Sequence, residues 1–220
     1  MVQLEKKGFF ITLEGGEGAG KSTQCHMLAE ALNQKGISCL LTREPGGSVG
    51  AEEIRKLLVT GDVGRWDTLT EILLFSAARR DHLVKTIWPA LENGTVVICD
   101  RFIDSTMAYQ GYGYGDKPEI QEKINALYRM IADDFRPDLT IILDINTEEG
   151  LRRSCTRHGN TEQRFEGMDW EFHQNLRQAF LKFATTEPER YIVIDGTGTP
   201  EEIHQKIISA VRERLLCFKQ

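Results

Sequence analysis

The sequence lacks paired cysteines, long apolar runs and an excess of positive charge. Its five cysteines are scattered, with no CxxC pair and no histidine at metal-ligand spacing, so neither a zinc site nor a disulfide framework is indicated. The first apolar run, residues 9–13, is too short for a signal peptide or a membrane span. With 33 acidic and 27 basic residues, the net charge of -6 gives no general attraction to nucleic acid or anionic lipid. We therefore expect a cytoplasmic protein with reduced thiols and no nucleic-acid or membrane partner.

What is present suffices for one sizeable core, since 40% of the 220 residues are hydrophobic. The length favours one domain over two, and no repeat, low-complexity tract or linker divides the chain. We predict a single domain, residues 1–220.

Short apolar runs alternate with longer amphipathic stretches. The runs are rich in β-branched residues and lack polar alternation, which is typical of strands covered on both faces. They lie at 9–13, 37–41, 95–99, 139–145 and 191–194. Helical spacing predicts helices at 21–35, 51–59, 68–91, 120–135, 147–157, 170–185 and 200–216, with mobile loops at 112–117 and 157–167. This alternation predicts a doubly wound α/β fold, with a five-stranded parallel sheet flanked by helices.

The most specific motif follows the first predicted strand. Residues 15–22 read GGEGAGKS, which fits G-x-x-x-x-G-K-[ST], and a helical pattern begins at once. Glycine amides and the helix N-terminus can surround the phosphates of ATP, Lys21 can contact the β- and γ-phosphates, and Ser22 can bind Mg²⁺. The order of strand, loop and helix argues against a mere connecting turn. The candidate ATP-binding residues are Gly15, Gly16, Glu17, Gly18, Ala19, Gly20, Lys21, Ser22 and Thr23.

Asp100 ends the third predicted strand, at the sheet edge where ligands of open α/β folds bind. It can orient Mg²⁺ as a Walker-B acid does, so Asp100 and Ser22 are the candidate metal ligands. The alternative is a helix N-cap or an ion pair with Arg101. The neighbouring phosphate loop favours the metal.

Two further pairs indicate a second, planar substrate. Phe75 and Arg79 are four residues apart and so share one helix face, where a ring and a guanidinium can hold a base or a phosphate. The alternative is an ordinary core residue beside a solvated charge. Ser105 and Tyr109 have the same spacing, with Thr106 and Gln110 beside them. These groups can read a pyrimidine edge and discourage a ribose hydroxyl, although a capped surface helix also fits.

The acceptor decides whether a base is needed. Phosphate oxygens are already anionic, so charge neutralisation is then the main task. A nucleoside hydroxyl needs a carboxylate to take its proton, and Glu17 keeps that alternative open.

Five segments in order resemble bacterial thymidylate kinases over almost the whole chain. They are LEGGEGAGKSTQ (13–24), TREPGGSVGAEEIR (42–55), LLFSAARRDH (73–82), DRFIDSTMAYQG (100–111) and RPDLTIILDI (136–145). The resemblance implies the P-loop NTPase fold, a homodimer packed through helices, and phosphoryl transfer from ATP-Mg²⁺ to dTMP, giving dTDP.

The same resemblance implies residue roles at the acceptor. Phe75 would stack on thymine and Arg79 would contact the base. Arg101 would hold the acceptor phosphate, with Tyr109 under the deoxyribose and Glu17 near the sugar. Arg43 would join the pocket in a loop shaped by Pro45, and Phe102 stands where many relatives have Tyr or His.

Members of this family place catalytic arginines either in the P-loop or in a lid. Gly18 occupies the loop position here, so a lid at about 152–167 is expected to supply the charge. The lid candidates are Arg153, preferred over Arg157, and Arg164, while Arg152 is the candidate cover for adenine. A basic solvated helix face is the alternative. With Lys21, Arg101 and Asp100, Arg153 and Arg157 complete the predicted catalytic set.

Phosphorylation of dTMP by ATP is the predicted function. A deoxynucleoside kinase or another pyrimidine monophosphate kinase of the same fold is the nearest alternative. A regulatory module that binds nucleotide without catalysis is an alternative of another class.

Overall fold

The computed structural model describes residues 7–62, 64–155, 164–165 and 167–218. In these ranges one sheet contains five parallel strands: β1 (Phe10–Glu14), β2 (Cys39–Arg43), β3 (Val96–Asp100), β4 (Leu139–Asp144) and β5 (Tyr191–Asp195). Their order across the sheet is β2-β3-β1-β4-β5, so β1 lies at the centre. The predicted α/β class and five-stranded parallel sheet are confirmed. The single domain of 1–220 stays a prediction.

Helices cover both faces of the sheet. They are α1 (Lys21–Gln34), α2 (Val49–Val59), α3 (Thr68–His82), α4 (Trp88–Glu92), α5 (Ile103–Thr106), α6 (Pro118–Ala132), α7 (Thr147–Cys155), α8 (Trp170–Thr186) and α9 (Pro200–Phe218). One buried cluster joins the sheet to α1 and α9, and two others join it to α3, α6 and α8. Burial of β1 along its whole length explains why its sequence lacks polar alternation.

Several boundaries differ from the sequence predictions for local reasons. The predicted helix 68–91 contains a π-helical turn, Leu83–Ile87, between α3 and α4. A second π-helical turn, Met107–Tyr112, follows α5. The second strand begins at Cys39 because the Ile37 amide turns back to the Leu32 carbonyl, at 3.0 Å, to close α1. Helix α6 ends early because Asp133 adopts a left-handed backbone with φ 52°. The end of the predicted helix 147–157 lies outside the described residues.

The register places the chemistry at one edge. Leu13 pairs with Asp100 on one side and with Ile141 on the other, so β1 and β3 end within one residue of each other and β4 ends two residues further on. The glycine-rich loop after β1 therefore lies beside the carboxyl end of β3.

Two further sequence expectations concern membrane-spanning helices and cysteine thiols. None of the described helices is both long and apolar enough to cross a membrane. Cys25, Cys39 and Cys99 carry free thiols.

Candidate active site

The glycine-rich loop is shaped by contacts that exclude side chains. Gly15 has φ 136°, and a Cβ atom there would lie 2.5 Å from the Leu143 carbonyl oxygen. Gly18 has φ 68°, and its Cβ would lie 1.9 Å from the Gly150 carbonyl oxygen on α7. A Cβ on Gly150 would in turn lie 2.5 Å from the Glu17 carbonyl oxygen. The loop and α7 therefore touch backbone to backbone.

Helix α1 begins directly at Lys21, preceded by Gly20 with φ 89° and without a side-chain cap. No acidic residue lies in its first turn. The free amides and the helix dipole at such an end favour an anion. Lys21 lies across the loop, and its Nζ donates to the Gly15 and Gly16 carbonyl oxygens at 3.0 and 2.7 Å. The loop amides, the helix N-terminus and Lys21 together favour a bound phosphate group.

Ser22 and Asp100 come together as the sequence predicts for metal ligands. The exposed Ser22 hydroxyl donates to Asp100 Oδ2 at 2.5 Å, across 78 residues of sequence. A hydroxyl and a carboxylate are hard oxygen donors of the kind that Mg²⁺ binds. Among the described residues, no group of three or more His, Cys, Asp or Glu side chains could hold a metal alone. A cation here would need ligands from phosphate and water as well.

Lys21 has a perturbed acidity. Burial, with the nearby Arg101 charge, lowers its pKa from 10.5 to about 8, although Glu17, Asp100 and Glu14 oppose the shift. The protonated amine is the form that attracts phosphate. The charge is therefore lost as pH rises through about 8 rather than 10.5.

We expect the affinity for a non-hydrolysable ATP analogue to fall above pH 8, by up to about tenfold per pH unit, because the neutral amine binds phosphate poorly. Isothermal titration calorimetry from pH 7 to 9.5 measures this. Lys21→Arg is the matched control, since arginine keeps its charge over that range. A wild-type affinity that stays constant to pH 9.5 would contradict the assignment.

Arg101 lies between the phosphate loop and a second cleft. Its backbone is left-handed, with φ 68°. The guanidinium donates to the Gly15 carbonyl oxygen, to Ser105 Oγ and to Glu17 Oε1, each at 3.1 Å. It also lies over the Tyr109 ring, 5.0 Å from the centroid. The contacts fix the guanidinium where β1 and β3 end.

Glu14, which sequence reasoning missed, binds the segment that follows β3. Its Oε1 accepts the Phe102 amide at 2.7 Å and its Oε2 accepts from Ser105 Oγ at 2.6 Å. Burial, with the nearby Asp104, raises the pKa of Glu14 to about 8. Nothing in the motif marks Glu14 as more than the last residue of a strand.

The pKa of Glu17 is shifted in the opposite direction from that of Glu14. Its burial is outweighed by Arg101 and Lys21, which lower its pKa to about 2, and the Tyr109 hydroxyl donates to its Oε1 at 2.5 Å. A carboxylate so firmly ionised and bonded is a poor proton acceptor. This weakens the alternative in which Glu17 activates a nucleoside hydroxyl.

The second cleft opens beside Arg101 and has a volume of about 860 Å³, counting the solvent at its mouth. Most predicted acceptor residues line it: Glu17, Phe75, Arg79, Arg101, Ser105, Thr106, Tyr109 and Gln110. The structure thus brings together two helix faces that the sequence could only describe separately. The combination of rings, amide and guanidinium suits a planar, anionic ligand.

Arg79 is neither a surface charge nor free to turn. It is 2% exposed, its Nε donates to Glu44 Oε2 at 2.7 Å, and its Nη2 donates to Thr106 Oγ1 at 2.9 Å. His82 bonds the other Glu44 oxygen at 3.1 Å and Thr42 Oγ1 at 2.7 Å. The solvated-charge alternative for Arg79 is wrong, and the guanidinium is held in one orientation.

Some predicted residues lie elsewhere. Arg43 is half-exposed, pairs with Glu52 at 3.2 Å and does not line the cleft. Thr23 is exposed on α1. Arg152 is exposed and bonds Glu149, and Arg153 bonds Glu149 at 2.8 Å and the Gly196 carbonyl oxygen at 3.1 Å.

The rest of the predicted lid is only partly described. Arg157 lies outside the described residues. Arg164 is buried in an ion pair with Glu71, on the acceptor side of the molecule.

Several cleft residues were not predicted as ligands. Glu44, Arg55, Val59 and Phe165 line the cleft together with Pro45 and Phe102. Arg55 donates to the Pro45 carbonyl oxygen at 2.6 Å, so α2 closes the side of the TREPGG loop. Helical spacing places Arg55 on α2 but carries no signal for this long-range contact.

A phosphate cradle and an adjoining arginine-lined acceptor cleft, at the carboxyl edge of a parallel sheet, define a P-loop nucleotide kinase. The family model described as thymidylate kinase matches residues 13–207. A thymidylate kinase of Bradyrhizobium sp. (strain ORS 278) is 49% identical over 210 residues, covering 95% of this chain and 92% of that protein. That of Gluconobacter oxydans (strain 621H) is 49% identical over 211 residues, covering 95% and 96%.

A solved structure agrees with these sequence comparisons. The crystal structure of thymidylate kinase from Ehrlichia chaffeensis has a TM-score of 0.73 and 37% identity, covering 93% of this chain and 98% of that one. The chain belongs to the thymidylate kinase family, whose members are transferases that phosphorylate dTMP with ATP as co-substrate.

Proposed function

We propose that this chain transfers the γ-phosphate of ATP to dTMP, giving dTDP and ADP, and that the phosphate loop holds ATP while the cleft beside Arg101 holds dTMP. The observation that carries the assignment is the position of Arg101, which lies between the phosphate loop and the acceptor cleft and contacts both. An acceptor phosphate bound there would face the donor phosphates.

In the donor subsite, the loop amides and the N-terminus of α1 bind the phosphates, and Lys21 neutralises charge on the β- and γ-groups. Ser22 and Asp100 are the residues that would hold Mg²⁺, and their oxygens fit its preference. The ion would supply further charge neutralisation on the donor phosphates. Arg152, on α7, is proposed as the cover of the adenine.

In the acceptor subsite, an oxygen of the dTMP phosphate attacks the γ-phosphorus, and the bond to the β-phosphate oxygen breaks. The attacking oxygen carries no proton, so no base is required. Arg101 binds that phosphate, Phe75 stacks on thymine and Arg79 contacts the base. Tyr109, bonded to Glu17, lies under the deoxyribose. Ser105, Thr106 and Gln110 contribute polar groups to the same wall.

Arg153 is proposed to stabilise the transferring group, with Arg157 as the second candidate. The backbone contact of α7 with the phosphate loop supports Arg153 in this role, because Arg153 lies less than one helical turn beyond Gly150. Gly18 cannot supply a charge itself.

The predicted homodimer is proposed to form through α3 and the two helices that pack on it, α2 and α6. Leu57, Leu69, Leu73 and Met130 on these helices are exposed apolar side chains.

We expect sedimentation velocity to give about twice the 25.0 kDa chain mass at micromolar concentration. Leu73→Glu should shift the protein to the monomer, whereas Val193→Glu, at an exposed position of β5, should not. A monomeric wild type would contradict the proposal. We also propose that the protein is located in the cytoplasm.

A coupled assay of ADP release tests the reaction. With ATP, we expect dTMP to be preferred over dUMP, and strongly over UMP, CMP and AMP. Absence of turnover with dTMP would overturn the proposal. Turnover with thymidine alone would identify a deoxynucleoside kinase, and ATP binding without product would identify a regulatory module.

A further inference from the structure

Glu71, on α3, is a buried carboxylate with a partner on each oxygen. It is 2% exposed and does not itself line the acceptor cleft. Its Oε1 accepts from Arg164, which is 6% exposed, and its Oε2 accepts from Gln110 Nε2 at 3.1 Å. Glu71 therefore connects a buried charge to an amide in the wall of the cleft.

Arg164 and Glu71 form a buried ion pair in which the guanidinium donates to the carboxylate. Arginine retains its charge in proteins, and here it is further held by the carbonyl oxygens of Leu58, at 3.0 Å, and Asp62, at 3.3 Å. An ionised carboxylate can only accept hydrogen bonds. The Gln110 atom that faces Glu71 must therefore be the amide nitrogen.

The orientation of Gln110 follows from this contact. With Nε2 used by Glu71, the remaining group is the carbonyl Oε1, which is buried and has no hydrogen-bond partner among the described residues. Gln110 lines the cleft beside Thr106 and Tyr109. A buried carbonyl without a partner is unfavourable, and a ligand N–H would satisfy it.

We propose that Glu71 is a specificity-determining positioning residue: held by Arg164, it fixes the Gln110 amide with its carbonyl available to the base, which selects bases that carry an N–H at ring position 3. Thymine and uracil carry that donor, whereas cytosine has an acceptor there. The inference rests on the proposed function, since it assumes that a pyrimidine monophosphate occupies the cleft.

Glu71→Gln provides the direct test, because a neutral amide can accept or donate and so lets the Gln110 amide turn over. We expect the dCMP-to-dTMP ratio of kcat/KM to rise at least about tenfold, as one buried hydrogen bond is lost for dTMP and gained for dCMP. Arg79 is unchanged, so whatever it contributes to the choice between the bases cancels in the comparison with wild type.

Two further variants separate specificity from folding. Glu71→Gln leaves the buried charge of Arg164 without a carboxylate partner, which destabilises the fold. The double variant Glu71→Gln/Arg164→Met removes both charges and should show the same rise. Arg164→Lys keeps the carboxylate and should keep the wild-type ratio. Thermal unfolding confirms that each variant is folded.

The outcomes are distinct. Equal loss of dTMP and dCMP turnover in both Glu71 variants, with an unchanged ratio, would give Glu71 a structural role only and overturn the inference. A raised ratio in Arg164→Lys equal to that of Glu71→Gln would also overturn it. If wild type fails to phosphorylate dTMP, the proposed function itself fails.

Discussion

Replacement of Arg101 by alanine should lower kcat/KM for dTMP by about 10²-fold or more, with most of the change in KM. The guanidinium is only 18% exposed and is oriented by Glu17, Ser105 and the Gly15 carbonyl oxygen, so a bound phosphate meets a preformed, charged donor. Its removal also leaves the Glu17 carboxylate without its ion-pair partner beside an anionic ligand. Steady-state kinetics with dTMP varied at saturating ATP, together with calorimetry of dTMP binding, measure the effect.

Two comparison variants make this result specific. Arg101 has φ 68°, which strains alanine but not glycine, so Arg101→Gly separates the backbone from the guanidinium. Equal losses in the alanine and glycine variants assign the effect to the charge, whereas near-normal activity of Arg101→Gly would assign it to the backbone. Arg153→Ala should mainly lower kcat. If Arg153→Ala and Arg101→Ala changed KM and kcat alike, the proposed division of roles would be wrong.

Lys21→Met should lower kcat by at least about 10²-fold, because it removes a preorganised positive charge from the developing transition state. The side chain is almost buried and bonds two loop carbonyl oxygens, so the variant also loosens the loop. Single-turnover measurements with ATP and dTMP report the chemical step.

Lys35→Met is the matched control, since Lys35 is exposed at the other end of α1. It should leave kcat within a factor of about two, as surface substitutions away from a site usually have small effects. A Lys21→Met enzyme with unchanged kcat would show that the charge of this lysine does not stabilise the transition state.

Local signals in the sequence predicted the parts of the site that depend on local geometry. The spacing of Phe75 and Arg79 is enough to place them on one helix face, and both line the cleft. Asp100 at a strand end and Ser22 after the glycine loop are fixed by parallel strand register, which explains why they meet.

What the sequence did not predict depends on packing between distant segments. Glu71 and Arg164 are 93 residues apart, and no periodicity relates them. Glu14 and Ser105 are 91 residues apart, and each has a plausible local role as strand end or helix residue. The π-helical turns insert a residue without a sequence signal comparable to proline or glycine. These long-range contacts and helical irregularities depend on how the helices pack against the sheet.

The backbone contact between Gly18 and Gly150 restricts how this chain can change. Any side chain at position 18 would displace α7, and any at position 150 would displace the phosphate loop. An arginine at position 18 therefore cannot be introduced by that one substitution without a shift of α7. Helix α7 would have to move away from the phosphate loop as well. This constraint supports the proposed placement of the catalytic charge in the lid, because the close approach of Gly18 and Gly150 leaves no room for an arginine side chain at position 18 of the phosphate loop.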